Sequence, residues 1–93
     1  MNLSKGQLIG VSYSNSKLVD LLCHIEKVES DVIHLWIVNG QYEAEFNSKT
    51  SMIKNKYNEV EARLVDISKT PRKILKSDDY NIILNYLNRA ERE

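Results

Sequence analysis

Apolar and polar residues alternate through most of the first 67 positions of the chain, and a period of two, with successive side chains on opposite faces, predicts β-strands. The stretch QLIGVSY, residues 7–13, sets Ile9, Val11 and Tyr13 on one face, and Gly10 between them marks a bend or bulge. After the polar turn SNS, residues 17–28 (KLVDLLCHIEKV) read as a long strand. Val19, Leu21, Cys23 and Ile25 point one way; Asp20, Leu22, His24 and Glu26 point the other.

Register follows from parity, since a slip of one residue moves every side chain to the other face. A three-residue loop, Glu29-Ser30-Asp31, pairs Ile25 with Leu35 and Cys23 with Ile37 and keeps the apolar face apolar. A two-residue loop would set Ile25 against Trp36 and split the core across both faces. The expected register therefore puts Glu26 opposite His34 and His24 opposite Trp36. Beyond Val38, Asn39-Gly40 predicts a type I′ hairpin turn, because both central positions of that turn need positive φ. It pairs Ile37 with Tyr42, Leu35 with Ala44 and Ile33 with Phe46 on the core face, and Trp36 with Glu43 and His34 with Glu45 on the other.

Residues 47–59, NSKTSMIKNKYNE, show no clean period and read as a long irregular segment with Met52-Ile53 tucked onto the body. Val60–Ile67 then reads as a fifth strand, with Val60, Ala62 and Leu64 inward. Five short strands with a bent first one predict a mainly β, α+β domain: a five-stranded, SH3-like, partly open antiparallel barrel over residues 1–67. A basic connector, 68–76, carries Pro71 and leads to an amphipathic helix over 77–91. Ser77 is its N-cap, and Asp78 and Asp79 lie in its first turn, where the helix dipole favours anions. Its apolar side chains, among them Ile82 and Tyr86, cover an arc of roughly 200°. A monomer needs less than that, so self-association through Ile82 and Tyr86 is expected. The whole chain, 1–93, reads as a single domain.

Charge changes this picture more than composition does. Thirteen basic and thirteen acidic side chains cancel overall, but residues 1–46 hold three basic against six acidic and residues 47–77 hold eight against three. Lys49, Lys54, Lys56, Lys69, Arg72, Lys73 and Lys76 make a candidate anion-binding set, with Tyr57 nearby to stack on a base. No apolar run approaches the ~18 residues of a membrane span. The N-terminus lacks a signal peptide's apolar core, and one cysteine fits a reducing compartment, so a cytoplasmic protein is expected. Enrichment in Asn, Ile, Lys and Ser points to AT-rich coding, as in low-GC bacteria or their phages.

The outer face of the predicted sheet holds the other candidates: His24, His34, Trp36, Glu43 and Glu45. Two readings of Trp36 stand. Either the C-terminal helix lies across the face and makes Trp36 and Leu22 a second core, or Trp36, flanked by His24 and Glu43, anchors a partner protein. A Cys23-His24 catalytic pair is discounted, because neighbours on a strand project to opposite faces. The two histidines and their carboxylates lack metal-ligand spacing, and the three glycines form no phosphate loop. No metal, cofactor or catalytic residue is expected. The expected function is non-enzymatic: stoichiometric capture of a protein partner, such as a host factor blocked by a phage or mobile-element protein. The alternative is capture of a phosphate-bearing ligand, a nucleotide or nucleic acid, on the lysine-rich segments.

Overall fold

The computed structural model describes residues 2–67 and, singly, Asn81. Six strands follow in chain order: β1 (Leu8–Tyr13), β2 (Leu21–Glu29), β3 (Val32–Ile37), β4 (Tyr42–Asn47), β5 (Met52–Lys54) and β6 (Glu59–Val65). Each pairs antiparallel with the next, and β6 returns to β1, so the sheet closes into a barrel in the simple order β1-β2-β3-β4-β5-β6. Two expectations are thereby corrected: there are six strands, not five, and the barrel is closed, not partly open. The connector expected over 68–76 and, apart from Asn81, the helix expected over 77–91 lie outside the described residues.

The extra strand sits in the segment expected to be irregular. Its flanks are turns nucleated by asparagine side chains. Asn47 Oδ1 accepts the N–H groups of Lys49 and Thr50 at 2.9 and 3.1 Å, and Asn55 Oδ1 accepts those of Tyr57 and Asn58 at 2.8 and 3.0 Å. Between them, Ile53 is buried opposite Phe46 on one side and Val60 on the other, which closes the gap between β4 and β6.

Inward positions follow the expected alternation closely. Ile9, Val11, Cys23, Ile25, Ile33, Leu35, Ile37, Ala44, Phe46, Ile53 and Ala62 form one core, with Leu3, Tyr42 and Leu64 packed against it. Burial pushes the Cys23 thiol up to about 12, and its side chain has no exposed surface. At one end of the barrel the Tyr13 and Tyr42 hydroxyls hydrogen-bond each other. Burial raises both phenols, helped for Tyr13 by the charge of Asp20.

Val19 departs from its expected place on that inner face. It precedes β2 and joins Leu22 in a second buried cluster outside the barrel, with Leu8, Val38, Val65 and Ile67 against it. Gly10 is explained by the same feature and by no bulge. A Cβ there would lie 2.8 Å from both Val19 Cγ1 and Ile67 Cγ2, so β1 must lack a side chain where these two residues cross it. The loop before β2 is held by Arg63, whose guanidinium donates to the Tyr13 and Ser16 carbonyls at 3.2 and 2.9 Å.

The β3–β4 register is as expected: Ile37 pairs with Tyr42, Leu35 with Ala44 and Ile33 with Phe46. Its turn is different. Positive φ belongs to Gln41 (59°), not to Asn39 or Gly40, and the Gln41 N–H donates to the Ile37 carbonyl at 2.7 Å. Gly40 is needed for space instead, since a Cβ there would run into the Tyr42 ring. Asn39 clips the turn to β2, accepting from the Leu22 N–H at 3.0 Å and donating to the Asp20 carbonyl at 3.2 Å.

Between β2 and β3, Cys23, His24 and Ile25 pair with Ile37, Trp36 and Leu35 as expected, but the register then shifts so that Lys27 meets His34, Val28 meets Ile33 and Glu29 meets Val32. Glu26 is the extra residue of a β-bulge. The connection is two residues, Ser30-Asp31, with Ser30 at φ 52°. Parity had argued against so short a loop; the bulge removes the conflict by restoring, within one strand, the alternation that the loop would have inverted.

Candidate binding groove

Outward residues of β2–β5 surround an open groove of about 630 Å³, lined by Glu26, Lys27, His34, Glu43, Glu45, Lys54, Asn55 and Lys56 together with parts of Leu35 and Ala44. The strands place these groups by simple geometry. On β3 and β4 the inward residues are Leu35 and Ala44, so His34, Glu43 and Glu45 must face out and form the floor. The bulge at Glu26 makes one wall. Lys54 and the Asn55-capped turn make the other.

Register sets the electrostatics. Lys27 pairs with His34, His34 with Glu45, Glu45 with Lys54 and Lys54 with Glu59, so one row of ionisable side chains crosses five strands. His34 has Glu29 Oε1 3.7 Å from Nε2 and Glu45 Oε1 3.7 Å from Nδ1. The expected neighbours were Glu26 and Glu45; the bulge exchanges Glu26 for Glu29. Lys27 pairs with Glu29, and its hydrogen bond and charge, with His34 adding less, hold that carboxyl below the ordinary glutamate range. The side chains of Glu43 and Lys54 have no hydrogen bond or ion pair among the described residues.

Two candidate sites that were separate in the sequence are therefore one in space: His34, Glu43 and Glu45 from the outer face share a groove with Lys54 and Lys56 from the lysine-rich segment. Trp36 and His24 lie beside the groove, paired across β2 and β3 and half-buried, and Trp36 is also opposite Glu43. Lys49 is exposed in the β4–β5 turn and does not line the groove. Lys69, Arg72, Lys73, Lys76, Ile82 and Tyr86 lie outside the described residues. Leu22, counted with the outer patch, is fully buried in the second cluster, so among the described residues the outer face is covered at one end and open at the other.

Sequence reasoning missed Lys27, which depends on the bulge that no local signal announces; Glu26 was expected on this face, though opposite His34. Asn55 was expected as a group to hydrogen-bond a base beside Tyr57, and its turn-capping role had a signal: an asparagine two and three residues before Tyr57 and Asn58. Tyr57, on that turn, is 85% exposed, and the Lys56 ammonium sits 5.8 Å from its ring centroid.

Among the described residues, no group of three or more His, Cys, Asp or Glu side chains is placed to hold a metal ion, and no helix is long and apolar enough to cross a membrane. Compared with known proteins, the chain matches no family model, no curated protein and no solved structure.

Proposed function

We propose that this chain is a binding module that takes up a partner protein stoichiometrically in the groove over β3 and β4, acting by occupancy and not by catalysis. One observation carries the reading: exposed carboxylates (Glu26, Glu43, Glu45) and ammonium groups (Lys27, Lys54, Lys56) are interleaved around one concavity, beside the half-buried Trp36. Mixed charges at the rim of an aromatic anchor suit a protein surface, where charge sets orientation and the anchor supplies affinity. Three carboxylates in the same groove work against a free phosphate. Blocking a host factor, as a phage or mobile-element protein in the cytoplasm would, is one role that such a module fills.

Isolation of the chain from the cells that make it, followed by mass spectrometry of what accompanies it, tests the reading when run beside Trp36→Ala and Glu43→Lys/Glu45→Lys variants. A partner in fixed ratio that both variants lose while keeping the fold is the expected result. Retention of that partner by both variants would sink it.

A second reading rests on the β5–β6 turn, where Lys54, Lys56 and the exposed Tyr57 offer ammonium groups beside a free aromatic face. Binding there would weaken steeply with salt and respond to Tyr57→Ala. Groove binding anchored on Trp36 would do neither.

A further inference from the structure

We propose that the outer face over β4 and β5 is a homodimer interface, built on a two-fold axis that lies in the interface and runs parallel to these strands. A second copy takes the same Glu43–Glu45 floor as the partner proposed above, so dimerisation and partner binding exclude one another. The inference rests on the layout of charge and shape and does not require that reading.

Consider the row of paired residues on either side of the β4/β5 boundary. Glu45 on β4 faces Lys54 across it, and one strand further out on each side stand His34 on β3 and Glu59 on β6. Glu43 on β4 and Lys56 beyond β5 flank the same groove one step along. The face therefore carries an acidic stripe beside a basic one. A closed two-fold interface is self-complementary, each patch meeting its own copy. Rotation about an axis along the strands, between the two stripes, sets the acidic stripe of one copy over the basic stripe of the other. Glu45 then meets Lys54, Glu43 meets Lys56 and His34 meets Glu59, each contact occurring twice. Rotation about the perpendicular in-plane axis would lay acid on acid and base on base. The charges thus select one of the two arrangements.

Shape agrees with charge. The groove floor carries Glu43 and Glu45, and its wall, Lys54 to Lys56, stands immediately beside it. The same rotation drops the wall of each copy into the floor of the other, so ridge and groove interlock along with the charges. The exposed Tyr57 ring follows Lys56 on that ridge and is carried toward the second copy. Glu43 and Lys54 lack ion-pair partners among the described residues of their own chain, and the second copy supplies one for each. Closure of the barrel removes the alternative of pairing through a free strand edge in this region, since β4 and β5 both have neighbours on each side.

Sedimentation of the full chain at low and high salt tests the proposal. The parent should be a dimer at low salt that salt dissociates. Glu45→Lys alone and Lys54→Glu alone should each weaken dimerisation about tenfold or more, because each sets like charges against one another twice. Mixing these two single variants should restore a dimer, now a heterodimer, because the first presents two basic positions and the second two acidic ones. The double variant Glu45→Lys/Lys54→Glu should again form a homodimer. Circular dichroism of each variant checks that these exposed substitutions leave the barrel intact. A parent that stays monomeric at low salt and high concentration overturns the proposal. So does a dimer that is indifferent to both reversals, which would place the contact elsewhere, or a pair of disruptive variants that fail to recombine.

Discussion

The outside of this barrel is built in two ways. Where β1, β2 and β6 meet at one end of the barrel, the outward residues Leu8, Leu22 and Val65 are apolar, and Val19 and Ile67 cross Gly10 to cover them. Over β3, β4 and β5 the outward residues are His34, Glu43, Glu45 and Lys54, and they line an open groove. Both faces sit on the same sheet, at the same alternation, above the same core. A small domain buries too little surface for one core to be generous, so the covered face is a place where added burial contributes stability. The open face gives up that burial, and its charged groups are left for something other than folding. Substitution should therefore separate the two faces: stability on one, association on the other.

The sharpest test is Leu22→Ala. Its side chain is fully buried in the outer cluster, and its removal should cost about 2–5 kcal/mol in urea unfolding, as for a core leucine. A loss below about 0.5 kcal/mol would mean that the outer cluster is surface by another name and would collapse the contrast. Alkaline titration gives the next largest effect and uses the inner core as reference. Cys23 is raised from 9.0 to about 12 in the folded chain, so above pH 9 the unfolded thiol ionises while the folded one does not. Its contribution is fully present below pH 9 and is lost as pH rises toward 12, with Tyr13 and Tyr42 adding to the same decline at still higher pH than their ordinary value of 10.0. Cys23→Ala should flatten the part of the stability profile that begins near pH 9, as followed by unfolding at stepped pH. An unchanged slope would show that the thiol meets water in the folded state.

Asn39→Ala probes the seam between the faces, where the β3–β4 turn is clipped to Asp20 and Leu22. Loss of two hydrogen bonds there should cost about 1–2 kcal/mol and speed amide exchange at the Leu22 N–H, which then loses its acceptor. Exchange that stays slow at Leu22 would argue that the clip is dispensable. Smallest of all should be Glu43→Gln and Lys54→Gln, which touch no ion pair within the described chain and should change stability by less than about 0.5 kcal/mol. A larger loss would show that the groove charges serve the fold, and the distinction between the faces would fail.

Local pattern carried a good deal of this architecture. The inner faces of β1, β3, β4 and β6, and that of β2 from Leu21 to Ile25, follow from a period of two, and the β3–β4 register follows from pairing Ile33, Leu35 and Ile37 with Phe46, Ala44 and Tyr42. These are legible because a buried face tolerates no slip, so its hydrophobic alternation is written into neighbouring residues. The same logic failed at Val19, an apolar residue in phase with β2 that instead covers β1, and at Glu26, where a bulge shifts the register without any mark in the composition. The three residues of β5 are too few to show a period, and only pairing with β4 and β6 makes them a strand.

The candidate site divides along the same line. Residue type and alternation alone determined that His34, Trp36, Glu43 and Glu45 leave the core, because each sits one step from a buried neighbour on its own strand. Only the tertiary structure decided that Lys54 and Lys56 join His34, Glu43 and Glu45 in one groove, that Lys27 and Glu29 replace Glu26 around His34, and that Leu22 is covered while Glu43 is not. The physical reason is range. Alternation is set by the bond geometry of adjacent residues, whereas the company that an outward side chain keeps depends on how strands distant in the chain are registered, bulged and closed around a common axis.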